Sequence, residues 1–234
     1  MLPSSNSRLK LAAQLVLAFT ISVAPYAIAQ SDLNSVLATM DTTAAQFRSA
    51  QAKFTWTMFN SVINDVAEKQ TGTIYFRRTG KETQMAADIV TPEKKQVVFS
   101  EGKIQLYQPK LETVDVYDAS AHREEFETFL VLGFGSGGSD LRKSFEVKYN
   151  GTQKVGGVDA AELELTPKSE NIRRQFSQIL LWIDPKTGLS VQQKLVQPNG
   201  DYRLAEYTDT RLNEKIPSKV FKLQTSDKTK VITH

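Results

Sequence analysis

Cysteine is absent from all 234 residues, and histidine occurs only as His122 and His234. The first absence excludes disulfide staples, thiol nucleophiles, thiolate metal sites and a lipid anchor on cysteine. The second leaves no H-E-x-x-H helix, and no G-x-S-x-G elbow occurs either. An excess of one charge is also missing. Two of the 29 basic residues, Arg8 and Lys10, fall in the first ten positions, and the remainder nearly balance the 26 acidic ones. That excludes the basic footprint of a nucleic-acid binder. The longest apolar run, Leu11 to Ala24, is 14 residues, short of the roughly 20 that a membrane-spanning helix needs.

The catalytic patterns that remain are thin. His122 stands near Glu124 and Glu125, which reads as a solvated helix face. Asp115 and Asp118 could form a glycosidase-like pair, but on a charged strand end they read as surface residues. Gly133 to Gly138 spells G-x-G-x-x-G, yet a dinucleotide site needs a strand before it and a helix after it, and here the order is reversed. The chain reads as a binding protein rather than an enzyme, with no metal site and no cofactor.

Arg8 and Lys10, the apolar run and Ala27-Ile28-Ala29 together form the pattern of a cleaved secretory signal peptide over residues 1–29. Residues 30–234 then form one domain. Its centre is Thr71 to Tyr117, short alternating runs punctuated by Gly80, Pro92, Gly102 and Pro109, which predict an antiparallel meander. Further strands are predicted at Lys53–Val62, Ser144–Tyr149, Ala161–Leu165, Ile179–Ile183, Leu189–Val196 and Tyr202–Thr210. Asn150-Gly151 reads as a hairpin turn, Phe221 to Leu223 as a last short strand, and the tail from Thr225 as frayed. Helical spacing of Leu33, Val36, Leu37, Met40, Ala44 and Phe47 predicts a helix over 32–51. That stripe suits core packing and cavity lining equally. Ala119 to Leu132 can form a second helix, with Phe126, Phe129 and Leu130 on it, followed by the glycine run. This arrangement suits a swinging lid, and it equally suits an ordinary connection with a flexible loop.

Gly72-Thr-Ile-Tyr-Phe-Arg-Arg78 and Phe99-Ser-Glu-Gly-Lys-Ile-Gln-Leu-Tyr-Gln-Pro109 resemble a strand and a hairpin of the LolA-type outer-membrane lipoprotein carriers. Leu165 to Lys168, Trp182 to Gly188, Pro198 to Gly200 and Tyr207 to Asn213 fit later elements of that family in order. The resemblance implies a mainly β, α+β fold. A strongly curved antiparallel sheet forms an incomplete barrel, and an N-terminal helix and a mid-chain helical lid lie over an apolar cavity. It implies a monomeric periplasmic carrier of acylated lipoproteins, loaded by an inner-membrane lipoprotein-releasing transporter and unloaded at an outer-membrane lipoprotein receptor. The lipid-binding residues expected are Leu33, Val36, Leu37 and Met40 from the helix, Trp56, Met58, Ile74, Phe76, Ile104 and Leu106 from the sheet, and Phe126, Phe129 and Leu130 from the lid. The matching arginine, Arg78, is implied to latch the lid through backbone carbonyls, with Arg77 facing solvent. Departures from the pattern, such as Leu106 in the hairpin and glycines in the lid, also allow a lipid- or lipoprotein-sensing domain that transfers nothing.

Overall fold

The structure, a computed structural model, describes residues 24–80, 82–122 and 132–234. Helix α1 (Ala24–Gln46) leads into β1 (Ser49–Asn60), β2 (Asp65–Thr79), β3 (Glu82–Thr91), β4 (Lys95–Ser100), β5 (Lys103–Gln108) and β6 (Thr113–Asp118). After helix α2 (Gly138–Ser144) come β7 (Phe145–Val155), β8 (Val158–Pro167), helix α3 (Glu170–Gln175), β9 (Gln178–Ile183), β10 (Ser190–Val196), β11 (Tyr202–Leu212) and β12 (Lys230–Thr233). All pair into one 12-stranded sheet, ordered β12-β6-β5-β4-β3-β2-β1-β11-β10-β9-β8-β7. β12 runs parallel to β6, and the other ladders are antiparallel. Its two edges, β12 and β7, do not meet, so the sheet is an incomplete barrel rather than a closed one.

Alternation along each strand decides which side chains face inward. Register carries the pattern across the sheet. Phe54 stands opposite Gly72 and Tyr207, and Trp56 opposite Gln70 and Ala205. The inward side chains sort into two clusters. Leu33, Val36, Leu37 and Met40 of α1 pack with Leu163, Leu165, Ile179, Leu181 and Leu195 over the β7–β10 half. Phe54, Ile74, Phe76, Met85, Phe99 and Phe134 gather in the β1–β5 half. A third, smaller cluster lies on the outer face, where Ile216 and Phe221 cover Ala86 and Val98.

Several elements differ from what the sequence suggests. The helix stops at Gln46, because Ser49 already pairs with Arg77 as β1 begins. β7 runs straight through Asn150-Gly151. The turn signal is absorbed as a bulge between Tyr149 and Gly151, and the chain reverses at Gly156-Gly157 instead. Asn64 to Gln70 is polar enough to read as a link, yet from Asp65 onward it extends β2. Ser218–Phe221 is a 3-10 turn rather than a strand. The polar tail is not frayed, since Lys230 to Thr233 pairs with Thr113 to Val116. Of the expected second helix, the described part is a 3-10 turn at Ser120–His122. Phe126, Phe129 and Leu130 lie outside the described residues.

The glycine run is not an exposed hinge. Residues 132–138 are all buried, and the glycines mark close approach. A Cβ at Gly135 would lie 3.0 Å from the Phe47 ring, and one at Gly138 would lie 2.5 Å from both Cβ and the carbonyl oxygen of Leu37. Gly138→Ala should therefore cost about 1–3 kcal/mol through overpacking against α1, read as a fall in urea midpoint at unchanged slope.

On the outer face, burial pushes the Asp88 carboxyl up, against a hydrogen bond from Gln96 that lowers it. A folded-state pKa above the unfolded one makes this carboxylate a destabilising group at neutral pH, and the penalty is relieved as pH falls through that pKa. Asp88→Asn should gain stability at neutral pH and lose that advantage once pH drops below the ordinary 3.8. Urea melts of both proteins across that range check it.

Candidate functional site

The inward face leaves a cavity of about 730 Å³, within the ~300–1,000 Å³ typical of small-molecule pockets. Its walls come from Trp56 on β1, Ile74 and Phe76 on β2, Met85 on β3, Val97 on β4 and Ile104 on β5, and from Gln193, Leu195, Arg203 and Tyr207 on β10 and β11. Ala119 and Leu132 add to the apolar side, α3 contributes Ile172 and Arg174, and Phe176 follows at its C-terminal end. β5 and β10 are six ladder steps apart, roughly 29 Å across a flat sheet at about 4.8 Å per step. Both touch one cavity, so the sheet curls through that distance.

Aromatic rings build part of the wall. Phe54 stacks on Trp56 at 4.1 Å between centroids, and Phe76 stacks on Phe134 at 5.0 Å. The Tyr207 ring meets Phe134 edge-on at 4.6 Å. The Tyr207 hydroxyl donates to Gln193 Oε1 at 3.1 Å, and Gln193 Nε2 donates to the carbonyl of Leu132. Burial pushes Tyr207 up to about 12, with nearby Arg203 pulling the other way. It is therefore neutral at physiological pH. The same burial pushes Arg203 down, and its guanidinium lies 5.2 Å from the centroid of the Trp56 ring.

Arg78 closes a seam at the other end of β2. Its Nη1 donates to the Ala44 carbonyl near the end of α1 at 3.1 Å, and its Nη2 to the Gly135 carbonyl at 3.2 Å. The guanidinium also sits 5.3 Å from the centre of the Phe47 ring. It is exposed rather than buried, so water competes for it. Arg77, expected in solvent, is half-buried on the outer face. It donates to Gln84 Oε1 and to Ser218 Oγ and lies 4.3 Å over the Phe221 ring, because the C-terminal segment crosses the sheet there.

Of the expected lipid-binding residues, Trp56, Ile74, Phe76 and Ile104 line the cavity together. Met58 and Leu106 are half-buried and stand outside its lining. Leu33, Val36, Leu37 and Met40 are buried in the helix-packed cluster and do not reach the cavity. Sequence reasoning missed Met85, Val97, Leu195, Arg203, Tyr207 and the whole of α3. A signal for α3 was present: Ser169 followed by Glu170, and Ser169 Oγ accepts from the Ile172 amide as an N-cap.

A family model described as "Outer membrane lipoprotein carrier protein LolA" matches residues 45–224. The chain belongs to the LolA family. A comparison with curated protein sequences yields no match. Among solved structures, an uncharacterized conserved protein from Thermus thermophilus is similar at 12% identity with a TM-score of 0.51, over 88% of this chain and 99% of that one. A Pseudomonas aeruginosa MucA/MucB complex chain aligns at 17% identity and TM-score 0.48, over 87% and 64%. LprF from Mycobacterium bovis aligns at 10% identity and TM-score 0.47, over 80% and 96%. At such identities the likeness to the Thermus protein speaks for the fold alone.

The two groups of apolar residues should separate by mutation. Leu37→Ala, in the filled half, should cost about 2–5 kcal/mol of stability. Ile104→Asp, on the half-buried cavity wall, should retain most of the melting temperature yet weaken uptake of a fluorescent naphthylamine probe by about tenfold or more. Fluorescence titration and thermal denaturation of both variants read the split.

Proposed function

We propose that this LolA-family protein is an exported, periplasmic carrier that holds lipoprotein acyl chains in the cavity of its curled sheet. The observation that carries this reading is the cavity itself: about 730 Å³, with hydrocarbon from five adjacent strands on one side. Acyl chains cannot cross water bare, since each exposed CH₂ costs roughly 0.8 kcal/mol. A wall of Ile74, Phe76, Met85, Val97 and Ile104 removes that cost without covalent chemistry. Removal of residues 1–29 as a signal peptide would deliver the chain to the periplasm. The transporter that loads it and the receptor that unloads it belong to the same proposal.

Arg78 has the role of a reversible latch. Its two bonds tie Gly135, in the segment that follows Leu132 of the cavity wall, to the end of α1. Hydrogen bonds of this kind contribute on the order of 1 kcal/mol each, little enough for a bound chain to displace and enough to favour closure after release. Arg78→Leu should load acyl cargo normally but hand it on several-fold more slowly. Arg77→Leu should lower stability through its lost contacts to Gln84 and Phe221 and leave transfer unchanged.

The deciding experiment mixes purified protein with inner-membrane vesicles bearing a triacylated lipoprotein and then with acceptor outer-membrane vesicles. Extraction followed by delivery is the expected result. Extraction without delivery would favour a lipid-sensing role over carriage, and no extraction would defeat the carrier reading.

A further inference from the structure

Among the described residues, one charged group inside the cavity has no acidic or hydrogen-bonding partner. Arg203 lines it half-buried, facing inward on β11 between Met58 on β1 and Leu195 on β10. Its guanidinium carries five N–H donors. Among the described residues none of them reaches a hydrogen-bond acceptor or a carboxylate, and its partner is the face of Trp56. Several polar groups nearby are engaged. Tyr207 and Gln193 bond to each other. Lys194 lies 4.0 Å over the Tyr202 ring. Glu68, in the same cross-strand row beyond Met58, accepts from Gln70 Nε2 at 2.9 Å and faces Lys95 Nζ at 3.9 Å. Arg174, at the α3 side of the cavity, is exposed and donates to Asn171.

We propose that Arg203 is an anion-binding subsite within the acyl cavity, and that the preferred cargo carries a carboxylate or phosphate beside its hydrocarbon chain. This rests on the reading of the cavity as an acyl-chain site. In the empty cavity water solvates the guanidinium. A hydrocarbon chain entering past Trp56 displaces that water, and a cation stripped of water without a partner is costly. A neutral amphiphile leaves it stripped. An anionic head replaces the water with charge-assisted, bidentate hydrogen bonds, for which the planar guanidinium is suited. Discrimination arises as it does in any site whose polar group is left unpaired by the wrong ligand. Among the described residues of the lining there is no carboxylate to neutralise the charge, and Tyr207 keeps its proton.

The test uses two matched pairs of ligands below their micellar concentrations at about pH 8, where a fatty carboxylate is ionised. Binding of cis-parinaric acid and of its methyl ester is followed by fluorescence. Displacement by lysophosphatidic acid and by a monoacylglycerol of equal chain length gives the phosphate arm. The parent protein should prefer the anionic member of a pair by about tenfold. Arg203→Met should lose that preference and bind the methyl ester at least as tightly as the parent, because no cation is then stripped of water, and that retained binding shows that the variant's cavity is intact. A preference in either arm that disappears in Arg203→Met supports the proposal, and the arm in which it appears names the head group. Equal affinities in both arms overturn it and leave the acyl cavity standing. So does a preference that survives Arg203→Met, or one that Arg174→Gln removes and Arg203→Met does not. Failure of both parinaric probes to bind the parent overturns the proposal together with the acyl-cavity reading beneath it.

Discussion

A twelve-stranded sheet that curls on itself encloses more space than its own inward side chains can fill. The rest of the molecule follows from how that excess is divided. α1 lays Leu33, Val36, Leu37 and Met40 into the β7–β10 half, and that half is filled to the point where Met40, Leu163, Leu165 and Leu181 have no exposure. The β1–β5 half is occupied differently. Its inward positions include Ala52 and Ala87, set opposite Ile74 in one cross-strand row. Small side chains there leave room, and the larger ones around them become walls. One helix, placed off-centre, makes a core on one side and a cavity on the other.

The two halves are joined by residues 132–138, and this seam explains the glycines. On one side Gln193 donates to the Leu132 carbonyl and the Ser190 amide to the Gly133 carbonyl. On the other, Arg78 reaches Gly135 and the Phe47 ring packs where a Gly135 side chain would stand. Asp41 of α1 accepts from both the amide and the hydroxyl of Ser139. A buried strand of chain threaded between a helix and a sheet has no room for Cβ atoms, so glycine serves proximity here rather than motion. Displacing Phe134, which touches both Phe76 and Tyr207, would disturb all of these contacts at once.

Much of this was legible in the sequence where local signals were unambiguous. β5 was readable to the residue, because Lys103 to Gln108 alternates cleanly between Glu101-Gly102, both at positive φ, and Pro109. The family resemblance carried the architecture and singled out Arg78. Failures came where tertiary contacts overrode local chemistry. Asn150-Gly151 is a strong turn signal that β8 pairs straight past. Lys230 to Thr233 is too polar to predict and pairs because β6 offers an open edge. The helix stripe was visible, but spacing could not say whether it met a cavity or a core. Arg203 was hidden because Tyr202, Leu204 and Glu206 alternate with Arg203, Ala205 and Tyr207, and neither set is clearly the apolar one. Only pairing with Met58 and Leu195 assigns the face.

That assignment gives the cavity a direction. Along β11 the inward residues run from cation through methyl to phenol as Arg203, Ala205 and Tyr207, and the adjacent strand sets Met58, Trp56 and Phe54 beside them. The polar atoms of α3 lie on the same lining as Arg203, whereas Ile74, Phe76, Met85, Val97 and Ile104 form a continuous hydrocarbon wall. A folded protein tolerates a half-buried guanidinium cheaply while the cavity holds water and a Trp face lies against it. The cost appears only when an apolar ligand drives the water out. The energetic consequence of Arg203 is therefore deferred from folding to binding, where it falls unequally on ligands according to the charge they bring.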